Sequence, residues 1–505
     1  MARNEVKWGA VLSYALIIIN ALYGLLITPF IISSIGEVEY GVYKTISSLS
    51  ASLMVLDLGL GGTVMRYIAK YKTDEKHNKI ESFLSMVFAE GLVLIGVIVV
   101  VCGVLYSLLP MIYANGLGHQ ELVLGKQLFL VLTLNLMLHI FENLLGGIIS
   151  GNNHFTFANG MKLMRIVLRV LFTYMFLMLF PNALVLVLID LSLTVILVIA
   201  EYIYIRCVLH TKLYLRFRGW DKAVFGESFR YTLLLFLTSI VAQVNNNLDN
   251  VVIGSIQGPS FVTLYSMGLL IFGMFEHLST AISGVMLPTI TKVLAQENGL
   301  QKVQNNIIQA GRVQFALLGA ALVAFAAIGQ DFVKLWLGEG YEDVYIITLI
   351  LMIPSILELC VNVCLSVLRA KNMLGFRTMV IFCSTVLNAV VTIAGVYYYG
   401  YIAAAFGTAL SFIIGSLIVM NIYYYKKFSM PMLQIYRKIF HGTWLCLLVA
   451  GVAVFTSSRL LPGDTWWTFL LNAGVFCVAY AVMMLLFGLN KQEKQSIPIL
   501  KNIWK

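Results

Sequence analysis

The sequence predicts an all-α integral membrane protein of about 14 transmembrane helices, and three observations lead to that prediction. First, 60% of the 505 residues are hydrophobic and 11% are charged, whereas soluble domains average roughly 25% charged residues. Second, apolar runs of about 20 residues, enough to cross a hydrocarbon core of roughly 30 Å, recur along nearly the whole chain. Third, basic residues collect in alternate loops. This composition nearly excludes a soluble enzyme.

The apolar runs allow the spans to be assigned in order along the chain. The first run lies close to the N-terminus and has no cleavage-like site at its end, so we expect a permanent helix rather than a signal peptide. All seven tryptophans lie near predicted span ends or in loops, as an aromatic belt predicts. The predicted spans are residues 9–35, 41–65, 82–109, 127–150, 163–180, 183–206, 230–256, 262–290, 312–333, 344–369, 377–399, 401–424, 442–461 and 466–488.

The distribution of basic residues predicts the orientation. With the N-terminus in the cytoplasm, all but four of the 34 Lys and Arg residues lie in or beside inner loops and tails. Under the positive-inside rule, this pattern places both termini in the cytoplasm. The net charge of +10 then belongs to the cytoplasmic membrane surface, and we expect no nucleic-acid partner. The four outer-side cations are Lys44, Lys126, Lys334 and Arg459.

A weak internal repeat predicts the organisation of the chain. Segment 34–44 aligns with segment 256–266 and matches Gly36 with Gly258. Further matches at the same offset fall in equivalent loops and spans. An even number of helices in each repeat inserts both the same way up, so the two lobes would share a pseudo-two-fold axis along the membrane normal, around a central cavity.

We therefore expect two lobes of six helices and two additional helices. This arrangement is typical of transporters with parallel repeats. The expected divisions are an N-terminal lobe at 1–222 (helices 1–6), a C-terminal lobe at 223–440 (helices 7–12), and two additional helices with a cytoplasmic tail at 441–505.

Acidic residues at membrane depth are rare and by default indicate a cavity or an ion pathway. Asp57, Asp249 and Glu276 lie deep in predicted spans, and Asp249 is surrounded by asparagines in "VNNNLDNVV". We predict these three as candidates for ion coupling, with H⁺ or Na⁺ as the ion. A buried structural hydrogen-bond network is the alternative. The other acids inside spans are Glu90, Glu142, Asp190, Glu201 and Glu358.

A basic stripe lies on one face of the fifth span. Lys162, Arg165 and Arg169 are spaced so that they share a helix face, and Arg169 lies about 10 Å deeper than Lys162. Lys162 can extend to the headgroups, whereas Arg169 reaches them less easily. Because Arg offers bidentate donors to phosphate oxygens, the stripe suits a diphosphate. Contact with lipid headgroups is the alternative.

The second span contains an acid and a base around a glycine-rich segment. Asp57 and Arg66 are about 13 Å apart along a straight helix and lie on opposite faces, so they form no simple intrahelical pair. The glycines between them permit a bend or a close helix contact. We predict Arg66 as a cation of the inner cavity. The alternative is a positive-inside anchor at the span end.

Signatures of catalysis and of cofactor binding are missing from the sequence. It has no Walker A loop, and its outer loops are too short for a polymerase or ligase domain. The seven cysteines show no metal-ligand grouping and no disulfide framework. We therefore expect neither an enzyme nor a protein that holds a cofactor or a metal.

Four segments carry a resemblance to a known family. They are "LDLGLGGTVMRYIAKY" in the second span, "LDNVVIGSIQGPSFVTLYSMG" across the seventh and eighth, "VLRAKNMLGF" after the tenth and "GYIAAAFGTALS" in the twelfth. Together they resemble the polysaccharide flippases (Wzx type) of the multidrug/oligosaccharidyl-lipid/polysaccharide exporter superfamily. The segments are spread over most of residues 10–425.

The resemblance implies a function and a location. It implies alternating-access transport of an undecaprenyl-diphosphate-linked oligosaccharide to the outer leaflet of the bacterial cytoplasmic membrane, for surface polysaccharide biosynthesis. The implied partners are the lipid-linked oligosaccharide, membrane lipids and the polysaccharide assembly machinery. The family motif carries over Arg66 as a cavity cation, whereas Arg165 and Arg169 rest on their spacing alone.

The same superfamily leaves one main alternative, a cation-coupled multidrug exporter. Those exporters often use an acid in the first span, where this chain holds only Asn20 as a strongly polar interior residue. A membrane-embedded glycosyltransferase or polymerase comes third, because the outer loops are short.

Overall fold

The structure is a computed structural model, and its description covers residues 2–57, 59–73, 77–211, 243, 246–294, 296–297, 299–371, 373–490 and 493. Within these ranges every regular element is a helix and no strand occurs. The all-α membrane fold class predicted from the sequence is therefore confirmed. The predicted seventh span, near 230–256, lies mostly outside the described residues.

The first half of the chain forms eight helices in the described ranges. A short 3₁₀ turn at Met54–Asp57 joins the second helix to the third. The helices are α1 (Ala2–Ile35), α2 (Glu37–Leu53), α3 (Leu60–Thr73), α4 (His77–Ile112), α5 (His119–Gly151), α6 (Phe155–Leu179), α7 (Ala183–Cys207) and α8 (246–256).

The second half contributes the remaining helices of the described ranges. Two π-helical turns, Phe412–Val419 and Met484–Gly488, continue α14 and α18. The helices are α9 (Pro259–Leu294), α10 (Gly299–Leu337), α11 (Glu342–Leu359), α12 (Cys364–Ala370), α13 (Leu374–Tyr399), α14 (Ile402–Ser411), α15 (Met420–Phe428), α16 (Met432–Phe440), α17 (Thr443–Leu460) and α18 (Trp466–Met483).

The helices have the length and composition of membrane spans. Among the described residues, 10 helices are long and apolar enough to cross a membrane, and the pair α11–α12, bent by 52°, would make an eleventh. Helix α6 has 25 residues and is not among these 10; it carries three cations, Lys162, Arg165 and Arg169. The chain is thus a multi-pass membrane protein, and the number 14 stays a prediction.

Two compact units make up the chain, Met1–Thr263 and Leu264–Lys505. The first contains α1 to α8, and the second contains most of α9 and all later helices. The lobe bounds expected from the internal repeat stay a prediction.

The turns that precede α2 and α9 share an unusual backbone conformation. Gly36 has φ of +83° and Gly258 has φ of +105°, a region that other L-residues rarely adopt. These two glycines are the pair that the internal repeat aligns. A side chain at either position would therefore strain the start of the following helix.

Close backbone contact holds α3 against α5 in the N-terminal unit. A Cβ added at Gly61 would lie 2.6 Å from the carbonyl oxygen of Asn143, and one at Gly147 would lie 2.5 Å from the carbonyl oxygen of Gly61. Small residues allow membrane helices to approach in this way. The glycine-rich segment of the second span thus combines a break at Met54–Asp57 with a close helix contact just beyond it.

In the C-terminal unit, the last two helices pack against helix α10. It has 39 residues and is about 57 Å long. Ile328 of α10 packs in a buried apolar cluster with Val454 of α17 and Phe476 of α18. The Tyr480 hydroxyl of α18 also donates a hydrogen bond of 2.8 Å to the carbonyl oxygen of Ala316. The two additional helices, α17 and α18, are therefore packed against α10 within this unit.

A buried arginine fixes the same helices at one end. Arg312 of α10 is 5% exposed, and its Nε donates to Glu493 Oε1 at 2.7 Å. Its two terminal nitrogens donate to the carbonyl oxygens of Lys438, His441 and Gly488 at 3.2, 2.8 and 2.7 Å. One side chain thus joins α10 to the turn before α17 and to the segment after α18.

The orientation predicted from charge can be tested by cysteine labelling. Glu339 lies in the turn after α10, with its side chain 84% exposed, and the charge pattern places this turn outside. In a variant without the seven native cysteines, Glu339→Cys should react with an impermeant maleimide on intact cells. Arg216→Cys, in a predicted inner loop outside the described residues, should react only after permeabilisation. Equal labelling at both positions would contradict the predicted orientation.

Candidate functional site

Charged side chains of three predicted spans meet between α5, α6 and α7 of the N-terminal unit. The basic stripe of α6 faces acids on its two neighbours. We call this set of residues the charge ladder, and we call each cation together with the side chains that it contacts a rung. It consists of Lys162, Arg165 and Arg169 on α6, Asp190, Thr194 and Glu201 on α7, and Glu142 on α5.

The middle rung of the charge ladder is centred on Arg165. Its Nη1 donates to both carboxylate oxygens of Glu142, at 3.0 and 3.1 Å, and its Nη2 donates to the Thr194 hydroxyl at 2.9 Å. Nδ1 of His139 lies 3.4 Å from the same carboxylate. Because both ends of the guanidinium are engaged by side chains of α5 and α7, this rung ties three helices together.

The next rung is the ion pair of Arg169 and Asp190. Nη2 of Arg169 lies 2.7 Å from Asp190 Oδ2, and the guanidinium lies over the Tyr23 ring at 5.0 Å from its centroid. The Tyr43 hydroxyl is a further hydrogen-bond partner of this guanidinium. Helices α1, α2, α6 and α7 therefore meet at Arg169.

The two arginine rungs differ in accessibility. The Arg165 and Glu142 side chains are 20% and 9% exposed, whereas those of Arg169 and Asp190 are 30% and 15% exposed. A well-buried pair is costly to break, by about 3–5 kcal/mol when one partner is removed. Arg165 is thus better suited to holding the helices together, and Arg169 is better suited to meeting a ligand.

The last rung lies towards the N-terminal end of α6. Glu201 is 4% exposed, and its carboxylate interacts electrostatically with Lys162 and Arg165. Its Oε2 has no hydrogen-bond partner among the described residues. Lys162 itself is exposed. The three rungs therefore extend over about 10 Å of α6, which is about 37 Å long.

Sequence reasoning found the cations of the charge ladder but not their partners. Arg169 and Asp190 lie at nearly equal distances along the chain from the turn at Phe180, and so do Arg165 and Thr194. In a pair of antiparallel helices, residues placed symmetrically about the turn lie side by side. This symmetry was the available signal for both pairs.

Asp57 lies beside the contact between α3 and α5. Its Oδ2 accepts a hydrogen bond of 3.1 Å from the Asn143 side chain. Its Oδ1 is buried and has no hydrogen-bond partner among the described residues. The 3₁₀ turn at Met54–Asp57 therefore ends on a carboxylate that is only half satisfied by the side chains described here.

Asp249 is 4% exposed in α8. The neighbouring Asn250 donates to the Ser48 hydroxyl of α2 at 2.9 Å, and Asn247 donates to the carbonyl oxygen of Gln243. This surrounding network fits the structural alternative for Asp249 at least as well as a coupling role. Asn245, one of the asparagines that surround Asp249 in the sequence, lies outside the described residues.

The remaining predicted residues do not join the charge ladder. Arg66 is exposed on α3, and Glu276 is half-buried on α9 of the C-terminal unit. Glu276 interacts electrostatically with Glu358 of α11 in that unit. Among the described residues, no group of three or more His, Cys, Asp or Glu side chains could hold a metal ion.

Comparison with known proteins identifies relatives in polysaccharide assembly. The model of a family described as "Polysaccharide biosynthesis protein" matches residues 7–294, more than half of the chain and every residue of the charge ladder. A Haloferax volcanii protein named as a flippase, AglR, is 29% identical over 179 residues, which cover 34% of this chain and 37% of the relative. A Salmonella typhi protein named as an O-antigen transporter is 22% identical over 423 residues, 81% of this chain and 94% of the relative.

Two solved structures share the fold. The lipid II flippase MurJ in an inward closed conformation matches 94% of this chain and 97% of its own, with a TM-score of 0.71 and 15% identity. An inward-facing multidrug resistance transporter of the MATE family matches 83% of this chain and 95% of its own, with a TM-score of 0.62 and 15% identity. At these identities the similarity shows the fold alone.

Proposed function

Because the chain belongs to the family of polysaccharide biosynthesis proteins, whose model matches residues 7–294, we propose that it flips an undecaprenyl-diphosphate-linked oligosaccharide. The movement would run from the inner to the outer leaflet of the bacterial cytoplasmic membrane by alternating access. The partners would be this substrate, membrane lipids and the machinery that assembles the surface polysaccharide. The glycan it carries would be selected by the shape of the cavity.

One observation supports this substrate above all, the partly accessible guanidinium of Arg169 in the predicted fifth span. It donates one hydrogen bond to a carboxylate while 30% of the side chain stays accessible. A diphosphate is a stronger bidentate acceptor for Arg than an uncharged drug or a sugar hydroxyl. We propose Arg169 as the main diphosphate ligand, with Arg66 on the cytoplasmic side and Arg165 behind it as a positioning residue.

We further propose that an acid couples transport to an ion gradient, with Asp57 as the first candidate. Its buried Oδ1 has no hydrogen-bond partner among the described residues, so a proton or Na⁺ would complete its coordination. Asp249 and Glu276 are the other candidates. An acid whose occupancy changes during the cycle would link the return of the empty carrier to the gradient.

A deletion strain tests the proposed function. Without the flippase, short lipid-linked repeat units should accumulate on the inner leaflet, and surface polysaccharide should be lost. The control is complementation by the wild-type chain, which should restore both. Normal surface polysaccharide together with new sensitivity to cationic dyes would contradict the proposal and favour the multidrug exporter.

A further inference from the structure

A second cation interacts with Arg169, although the charge pattern alone assigned it to the outer side. Lys44 of α2 is half-buried and interacts electrostatically with Arg169. Its ammonium lies over the Tyr40 ring, 5.6 Å from the ring centroid. The Tyr40 and Tyr43 rings are themselves 6.0 Å apart. The two cations therefore contact the same group of neighbouring tyrosine side chains.

Among the described residues, the charges at this point do not balance. Lys44 and Arg169 contribute two positive charges, and Asp190 contributes the negative charge that is paired with Arg169 at 2.7 Å. Glu39, the acid nearest to Lys44 in the sequence, accepts the backbone N–H of Ala183 at the start of α7 and is not among the described groups that interact with Lys44 or Arg169. The interacting side chains thus leave an excess of positive charge in a partly buried place, which an anion would neutralise.

The donors also have the chemistry of a phosphate site. An ammonium, a guanidinium and a tyrosine hydroxyl all donate hydrogen bonds to phosphate oxygens. The Arg169 guanidinium lies over the Tyr23 ring, 5.0 Å from its centroid, and the Lys44 ammonium lies over the Tyr40 ring. Ring contacts of this kind hold a cation by electrostatic attraction to the ring face and leave further N–H groups to donate to a ligand.

We propose that Lys44, Arg169 and the Tyr43 hydroxyl form a binding site for a phosphate group of the lipid-linked substrate, with Asp190 as the internal counter-ion that the phosphate displaces. The inference rests on the proposed function, because that function supplies the diphosphate. Asp190 keeps Arg169 neutralised in the empty carrier and competes with the phosphate when the substrate is bound.

The position of this site gives it a place in the transport path. Arg169 lies about 15 Å from the C-terminal end of α6 and about 21 Å from its N-terminal end. Lys44 comes two turns after the start of α2. Both residues are thus nearer to the ends where α1 meets α2 and α6 meets α7, which the charge pattern places outside. The site lies on the release side, where competition from Asp190 would help the substrate to leave.

Calorimetric titration of the purified full-length protein with inorganic pyrophosphate tests the site directly. Lys44→Gln should weaken pyrophosphate binding by roughly tenfold or more, because a charge-assisted hydrogen bond is lost. Asp190→Asn should strengthen it by a similar factor, because the competing charge is removed while the side chain keeps its shape. Lys126→Gln is the matched control, because the Lys126 ammonium also lies over a ring, 5.4 Å from the centroid of Tyr106. This variant should bind pyrophosphate as the wild type does.

The outcomes separate this inference from the proposed function. Absence of pyrophosphate binding by the wild type, or equal effects of Lys44→Gln and Lys126→Gln, overturns the site even if the deletion strain accumulates lipid-linked repeat units. Asp190→Asn provides a second measure that does not depend on Lys44, and weaker or unchanged binding in this variant overturns the role of Asp190. Thermal melting of each variant verifies that it is folded during the titration.

Discussion

Replacing Arg169 with alanine should remove nearly all transport while the protein still reaches the membrane in normal amounts. Arg pairs with a diphosphate through two parallel charge-assisted hydrogen bonds, and truncating one partner of such a contact costs about 2–5 kcal/mol of binding. Arg169→Lys keeps the charge but loses the bidentate geometry, so partial transport is expected. The measurement is the restoration of surface polysaccharide in the deletion strain, normalised to the amount of protein in the membrane.

A second variant separates loss of the ligand contact from loss of stability. Arg169→Ala leaves the partly buried Asp190 without its 2.7 Å partner, which is destabilising in itself. The double variant Arg169→Ala with Asp190→Asn removes that unpaired charge and should still fail to transport. Normal transport by Arg169→Ala would assign the α6 stripe to headgroup contact and make Arg66 the next candidate for the diphosphate.

Replacing Arg312 with alanine should cause the largest loss of stability among single substitutions in the C-terminal unit. The guanidinium is 5% exposed and donates hydrogen bonds from α10 to the segment before α17 and to the segment after α18. Its removal takes away the cationic partner of the Glu493 carboxylate and the donor to three carbonyl oxygens, at a cost of about 3–5 kcal/mol. The measurement is the melting temperature of the purified protein in detergent. Arg459→Ala is the control, because Arg459 is exposed on α17 and contacts the Phe455 ring.

The pH dependence of this contact gives an independent readout. Burial alone would raise the pKa of the Glu493 carboxyl, but hydrogen bonds from Arg312 and from the Asn490 N–H outweigh burial and hold the pKa below its ordinary value of 4.5. The stabilisation is therefore complete above pH 4.5 and is lost as the pH falls through the lowered pKa. The stability difference between wild type and Glu493→Gln should shrink in that acidic range. A difference independent of pH would contradict the role of the Glu493 charge.

The helices themselves could be predicted because apolar length and polar turns define them. The predicted span 183–206 corresponds to Ala183–Cys207, and the predicted span 377–399 corresponds to Leu374–Tyr399. The bend of 52° between α11 and α12 could not be predicted in this way. The residues at the bend, Cys360 to Val363, are as apolar as their neighbours, apart from Asn362.

The candidate site was only partly predictable for a different reason. Spacing within α6 shows that its three cations share a face, but it does not show which acid on which helix they meet. Glu142 lies 23 residues before Arg165, and no local pattern relates the two. Arg312 was missed because most of its partners are backbone carbonyl oxygens, which every residue has. Contacts of this kind depend on the packing of helices, which hydropathy does not encode.

The partners of Arg312 raise a question of timing during synthesis. All of them follow it in the chain, by 126 residues for Lys438 and by 181 for Glu493. At roughly 5–20 residues per second, a ribosome needs about 10 to 40 s to reach Glu493. During this interval the Arg312 guanidinium of the nascent α10 lacks its final acceptors. Water or a lipid phosphate must solvate it instead. Release of that temporary partner, once α17 and α18 arrive, makes their docking a late step of biogenesis.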